Sequence, residues 1–332
     1  MENLLYSLNA TLPVFAVIVV GYILNRLGMF NEGFISAANK FVFHVCLPLM
    51  IFKDMASTDL ADGFDLPLAA YSGAVTVAAF AVIWICARLL IKDRSIIGAF
   101  VQAAYRSSVA VMGFAFMTNI YGRTGLMPMI IIGCVPLYNI FAVTVLTFEA
   151  PGAADDRDKS RKLKKAAAGI IRNPIILGII AGCIGSAVNS SGILQPVTDT
   201  AVGGFAFSVM GKILENLAVM ATPLSLIVIG ASFDGREALA KIRPTAACCA
   251  VKLLAMPAVF LPIAAALGFR GEALLALVIM LGSPTTPSCY IMAKNMNNDG
   301  VLTSGVIAAT TLLSSVTLTF WIFLMKSLGL IT

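Results

Sequence analysis

The chain has 332 residues, 59% hydrophobic and 12% charged, with a net charge of +6 and a mean hydropathy of +0.93. A water-soluble domain carries about 25% charged residues, so a chain with half that charge cannot coat a water-facing surface of this size. Its apolar runs are continuous rather than alternating. That excludes a transmembrane barrel and leaves helices as the way to satisfy backbone hydrogen bonds in lipid.

Ten spans near the ~20 residues that a bilayer core needs are predicted. They are Thr11–Leu27, Ile35–Phe52, Leu66–Ile91, Ser95–Tyr121, Gly125–Phe148, Ala166–Val188, Leu214–Phe233, Thr245–Leu267, Glu272–Ala293 and Val301–Leu328. The start Met1-Glu2-Asn3 lacks the basic region of a signal peptide, so none is expected. With the N-terminus outside, the inner side holds fifteen Lys and Arg. These are Arg26, Arg88, Lys92, Arg94, Arg157, Lys159, Arg161, Lys162, Lys164, Lys165, Arg172, Arg236, Lys241, Arg243 and Lys294. The outer side holds five, Lys53, Arg123, Lys212, Arg270 and Lys326, together with the acidic run Asp54, Asp59, Asp62 and Asp65. Positive charge gathers on the cytoplasmic side, so both termini are expected outside, in a cell inner membrane. The basic charge follows the loops, which argues for membrane orientation and against nucleic acid.

The polar stretch 149–165 then becomes a cytoplasmic linker between a five-span repeat at 1–148 and another at 166–332. The first span carries Pro13 and Gly21, and the sixth Pro174 and Gly182, with the same spacing. Pro48-Leu49 in the second span matches Pro223-Leu224 in the seventh. An odd number of spans per half inverts the second copy, a design common among secondary transporters.

The fourth span contains Tyr105-Arg106-Ser107-Ser108, and the ninth contains Gly282-Ser283-Pro284-Thr285-Thr286-Pro287-Ser288. Two prolines among Gly, Ser and Thr cannot keep an unbroken helical ladder. In a membrane such a break must face protein or a water-filled cavity. Its freed N–H groups can hold an anion and its freed carbonyls a cation; a kink that merely serves packing is the alternative. Ionisable groups inside spans are costly and mark function. Here they are Lys40 and His44, one turn apart and near Asn39, then Arg106 and Lys252, with Glu215 at the outer edge of the seventh span. His44 is the one histidine, either a proton-coupling group or a polar group bonded within the bundle. Lys40 could equally snorkel to the headgroups. Arg106 adjoins the break and suits a carboxylate. Asn139 either meets substrate or stitches helices together. Asn173-Pro174 should cap the sixth span. The seven cysteines fall in apolar segments without a CxxC pair, and no HExxH, GxSxG or P-loop occurs, so neither an enzyme nor a metal site is expected.

Several segments in order resemble one family. They are Asn39-Lys-Phe-Val with Leu47-Pro-Leu, Arg172-Asn-Pro, Pro223-Leu-Ser-Leu-Ile-Val-Ile-Gly230-Ala-Ser, Lys252 with Pro257-Ala-Val, and Ser283-Pro-Thr-Thr-Pro with Tyr290-Ile-Met-Ala293. Over nearly its whole length the chain resembles the auxin efflux carriers, bacterial permeases related to the plant PIN carriers. The resemblance implies an all-α membrane protein of about ten helices in two inverted five-helix repeats, with broken helices 4 and 9 that cross. It implies secondary transport of a small organic anion, such as malonate or malate, with substrate beside the crossing. That role would fall to Arg106, Ser107, Ser108, Ser283, Pro284, Thr285 and Thr286, with Asn139 lining the cavity. The fourth span departs from the family pattern. It has Ser108 where relatives have Asn, Ala115 where they have Pro, and Ser107 where plant members have Pro, so less forces that helix open. Asn39, Lys40, His44 and Lys252 are candidates for proton or sodium coupling; no cofactor is expected. A sodium-coupled bile-acid-type symporter and a transporter-fold sensor are the alternatives. A homodimer is left open.

Overall fold

The computed structural model describes residues 2–56, 65–109, 113, 116–117, 125–150, 168, 171–191 and 195–331. The described residues are all-helical. In chain order, α1 is Glu2–Arg26, α2 Glu32–Ala56, α3 Leu66–Leu90, α4 Ile97–Tyr105, α5 Met127–Phe148 and α6 Pro174–Ser190. Then come α7 at Ala201–Ala231, α8 at Ile242–Ala266, α9 at Gly271–Gly282, α10 at Ser288–Asn295 and α11 at Gly300–Ser327. Six of these, α2, α3, α5, α7, α8 and α11, are long and apolar enough to cross a membrane; Leu12–Arg26, α6 and α9 are shorter apolar helices.

Local sequence sets the ends. Asn31, Asp65, Asn173, Thr200 and Asp299 each cap the helix that follows, accepting a backbone N–H with the side chain, a contribution of about 1 kcal/mol apiece. The expected cap at Asn173 is therefore present, with Pro174 in the first turn. At the far end of α1, Gly28 has φ +75°. Its N–H reaches the Asn25 carbonyl while Met29 reaches Leu24, a closing turn that needs a residue without Cβ.

Several expected boundaries move, and α2 runs on to Ala56. The seventh span, expected from Leu214, begins at Ala201. Lys212 and Glu215 interrupt the apolar run in the sequence, yet Glu215 lies well inside α7 and pairs with Lys53 at 2.7 Å. The ninth span is two helices, α9 and α10. Of the expected linker 149–165, residues 151–165 lie outside the described residues. Glu149 instead closes α5, accepting from Trp84 Nε1 at 2.7 Å and from Arg88 Nε at 2.6 Å.

The broken helices form the core. Every residue of α4 is buried, as is every residue from 274 to 293 except Thr286. The surrounding helices turn apolar side chains outward: Leu89 and Leu90 are each 78% exposed. This inside-out surface suits lipid and would be untenable in water.

The long helices are modified where they carry proline. In α2 a π-turn occupies Val42–Cys46, and in α8 another occupies Val251–Ala255. Each is followed two residues later by a proline, Pro48 or Pro257. Proline cannot donate to the carbonyl four residues back, and the wider turn absorbs the mismatch. The Leu253 carbonyl, four residues before Pro257, is taken by Trp321 Nε1 at 2.9 Å instead.

Helices from the two halves of the chain interlock. α1 lies against α7, and α6 against α2. A methyl on Gly21 would overlap the Ile227 carbonyl, and one on Gly182 would come within 3.0 Å of the Phe52 oxygen. Ile227 is four residues past Pro223, and Phe52 is four past Pro48.

Candidate functional site

α4 ends at Tyr105 and α9 at Gly282, and the next residue of each turns extended. Arg106 has φ −74° and ψ 144°, and Ser283 has φ −65° and ψ 150°. The two non-helical stretches meet. Ser108 N donates to the Pro284 carbonyl at 2.9 Å. The Thr285 hydroxyl donates to the Ala103 carbonyl at 2.7 Å, and Gln102 Nε2 to the Cys289 carbonyl at 2.8 Å. Thr285 N donates to the Thr310 hydroxyl on α11 at 3.1 Å. The fourth span therefore opens, as the family resemblance implied, without the prolines of the family pattern. The physical reason lies in the partner strand. Backbone groups that leave the helix ladder find acceptors and donors across the crossing, so opening leaves them satisfied.

Arg106 projects from this crossing and is 3% exposed. Its two terminal nitrogens donate to Asn139 Oδ1 at 2.9 Å, Ser288 Oγ at 3.1 Å and Met292 Sδ at 2.8 Å. Its Nε and the neighbouring Ser107 hydroxyl are buried without a partner. Among the described residues Arg106 makes no ion pair. A buried charge held only by neutral acceptors is costly, and an added anion would relieve that cost.

A cavity of about 140 Å³ lies against Arg106. Arg106, Ser107 and Ser108 form one wall and Thr286 and Ser288 another. Val135, Tyr138 and Asn139 contribute from α5, Leu47, Met50, Ile51 and Asp54 from α2, and Ala221, Thr222 and Ser225 from α7. Five of the expected binding residues thus line one space: Arg106, Ser107, Ser108, Asn139 and Thr286. Ser283, Pro284 and Thr285 stand behind it as its frame; Ser283 Oγ donates to the Ile279 carbonyl at 2.5 Å.

Asn139 bonds Arg106 and, through Nδ2, the Val135 carbonyl at 3.0 Å. It both lines the cavity and ties α5 to the crossing. The cavity also contains residues that the sequence did not single out. Ser225 sits shortly after Pro223, and Ser288 follows Pro287, so the proline motifs were the available signal for both. Asp54 was grouped with the acidic run outside. It lies in the last turn of α2, on the cavity wall.

The four coupling candidates are not brought together. Lys40 and His44 are exposed, with His44 Nδ1 2.9 Å from the Lys40 carbonyl. Asn39 and Lys40 line a separate polar cavity of about 640 Å³ at the other end of α2, with Arg26, Glu32, Asp234 and Lys294. There the N–H groups of Glu237 and Arg236 hold the Asp234 carboxyl below its usual range. Lys252 is fully buried in the α8 π-turn, its Nζ 3.3 Å from the Leu281 carbonyl at the end of α9. A third, apolar groove of about 490 Å³ runs between α3 and α8.

The Arg106 cavity and the polar cavity lie at opposite ends of the α2–α7–α10 interface. Between them that interface is filled by Val42, Phe43, Cys46, Leu226, Ile229 and Ile291, all buried. Buried apolar side chains therefore separate the Arg106 cavity from the polar one.

Comparison with known proteins agrees with this architecture. A family model described as membrane transport protein matches residues 6–322. A protein of Methanothermobacter thermautotrophicus named "Uncharacterized transporter" is 25% identical over 325 residues, covering 95% of this chain and 97% of its own length. A protein of Rhizobium meliloti named "Putative malonate transporter" is 23% identical over 324 residues, covering 95% of each. The chain is a multi-pass membrane protein and belongs to the membrane transport protein family, that of the auxin efflux carriers.

Proposed function

We propose that the chain is a secondary active carrier of a small organic anion, a mono- or dicarboxylate such as malonate or malate, working by alternating access. The observation that carries this reading is Arg106. It is a permanent cation at the crossing of two broken helices, beside a cavity, bonded only to neutral acceptors and in no ion pair among the described residues. A substrate carboxylate would accept from its guanidinium and from the Ser107 and Thr286 hydroxyls. The name of the Rhizobium meliloti relative points the same way.

The reading includes ten spans in two inverted repeats, 1–148 and 166–332, joined by a cytoplasmic linker at 149–165, with both termini outside the inner membrane. The matched glycine contacts support the repeat, because Gly21 meets the chain four residues past Pro223 just as Gly182 meets it four residues past Pro48. The two cavities, separated by buried apolar side chains, support alternation. A sodium-coupled, bile-acid-type symporter would use freed carbonyls to hold its ion, and the Leu281 carbonyl is already served by the Lys252 ammonium.

The test is thermal stability of the purified protein across a panel of mono- and dicarboxylates, with and without sodium, since a ligand of the folded state raises apparent stability. A carboxylate-dependent rise lost in Arg106→Ala is expected, with uptake by proteoliposomes lost in parallel. A rise that needs sodium would favour the symporter; binding without flux would favour a sensor. A rise given only by cations or neutral compounds would overturn the reading.

A further inference from the structure

We infer that Asp54 carries a proton that binds together with the anionic substrate. The inference rests on the organic-anion reading above and deepens it by naming the coupling group. Asp54 and Arg106 line the same cavity of about 140 Å³, one a titratable acid and the other a permanent cation. Arg106 is almost fully buried at the crossing, whereas Asp54 sits in the last turn of α2 and is part-exposed.

A carboxylate drawn in by Arg106 enters a space whose lining already includes a carboxylate. Like charges sharing one small site cannot both stay ionised without cost, and the titratable one takes up a proton. The substrate's charge is attracted by Arg106, so the proton goes to Asp54. An acid placed within a membrane-spanning helix marks function by default.

Among the described residues several charged groups stand near Asp54. On its own helix, Lys53 is next to it in sequence and 2.7 Å from Glu215 of α7. α7 also carries Lys212, which is exposed. α6, packed along the same stretch of α2, contributes Cys183, also exposed. The cavity lining also includes Arg106 and Tyr138. His44 and Lys40, on the same helix, face outward.

The step is a single proton transfer. When the anion binds, a hydronium ion or buffer acid of the solvent gives up a proton, its bond breaking as an O–H bond forms on a carboxylate oxygen of Asp54; when the anion leaves, that bond breaks and the proton returns to a solvent base. If both are released on the opposite side, the carrier moves anion and proton together. By linkage, protonation and anion binding strengthen each other equally.

The experiment is titration of the purified full chain with malonate and with malate, at stepwise pH above the last ionisation of both acids. For the parent, Kd should rise with pH by up to about tenfold per pH unit, the slope of one linked proton. Adding malonate in weak buffer with an indicator dye should register proton uptake, a readout that needs no variant. Asp54→Asn should bind at all pH values with a flat profile, and Arg106→Ala should bind weakly throughout. Parent binding that is flat with pH, or without proton uptake, overturns the inference and leaves the anion reading standing. Binding of neither acid at any pH overturns both. Preference for an amino acid, lost in Asp54→Asn, overturns the inference by making Asp54 the receptor of a substrate ammonium.

Discussion

The Thr285 hydroxyl donates to the Ala103 carbonyl at 2.7 Å, joining residues 182 positions apart at the point where two helices are interrupted. The bond satisfies a carbonyl that the break in α4 removes from the helix ladder. Thr285→Val keeps the shape and removes the donor. A buried acceptor left unmade costs about 1–3 kcal/mol, so the variant should unfold at lower temperature in detergent and transport poorly. Thr285→Ser should restore both.

Arg106 is the charge on which anion binding would turn. Arg106→Ala should weaken carboxylate binding at least about tenfold, corresponding to about 1.4 kcal/mol. Arg106→Lys keeps the charge but loses the planar fork, and it should recover only part of the affinity. Affinity measured by calorimetry on both variants checks this; equal binding by parent and Arg106→Ala would sink the proposed site.

The interlocking glycines should be sensitive in step. Gly21→Leu drives side-chain atoms into the Ile227 carbonyl, and Gly182→Leu does the same at Phe52 and Met55. Overpacking of this kind costs about 1–3 kcal/mol. Gly211, in the exposed part of α7, has nothing within 4 Å of the place a methyl would take. Gly211→Ala should therefore be neutral or stabilise by up to about 1 kcal/mol, because alanine favours helix. Thermal unfolding of the three variants tests the contrast.

Two carboxylates at helix starts set an acid limit. Asp93 is held below the usual carboxylate range chiefly by the Ser95 hydroxyl and then by the Ser95 N–H, and Asp234 by the Glu237 and Arg236 N–H groups. A lowered folded-state pKa stabilises above the unfolded value, and that contribution is lost as pH falls through the folded one. Acid should loosen the turns after Asp93 and Asp234, exposing them to limited proteolysis. Asp234→Ala should reproduce its part of the effect at neutral pH.

Much of this was legible in the sequence because lipid demands long apolar runs, and the spans from α2, α3, α5, α8 and α11 follow them closely. The break after Gly282 was legible too, since Pro284 and Pro287 cannot stay in a ladder. The break after Tyr105 was implied by the family resemblance alone and not by its own residues, because its cause is an extended stretch about 180 residues away that supplies the missing partners. The early start of α7 was hidden by Lys212 and Glu215; the pairing of Glu215 with Lys53 is a tertiary fact. Asp54 read as a loop acid because it stands beside Lys53 and shortly before Asp59 and Asp62. Only the added turn of α2 puts it on the cavity wall.

The π-turn at Val42–Cys46 makes α2 an indexed joint. The half that follows is set relative to the half before it by a ring one residue wider than the usual one. Removing a single residue there would let an ordinary helix re-form with the half beyond still facing the same way, whereas removing a second would rotate everything beyond by about 100°. Leu47, Met50, Ile51 and Asp54 would leave the cavity together while the apolar character of the span stayed intact. The chain could then still insert in a membrane, with its pocket facing the wrong neighbour.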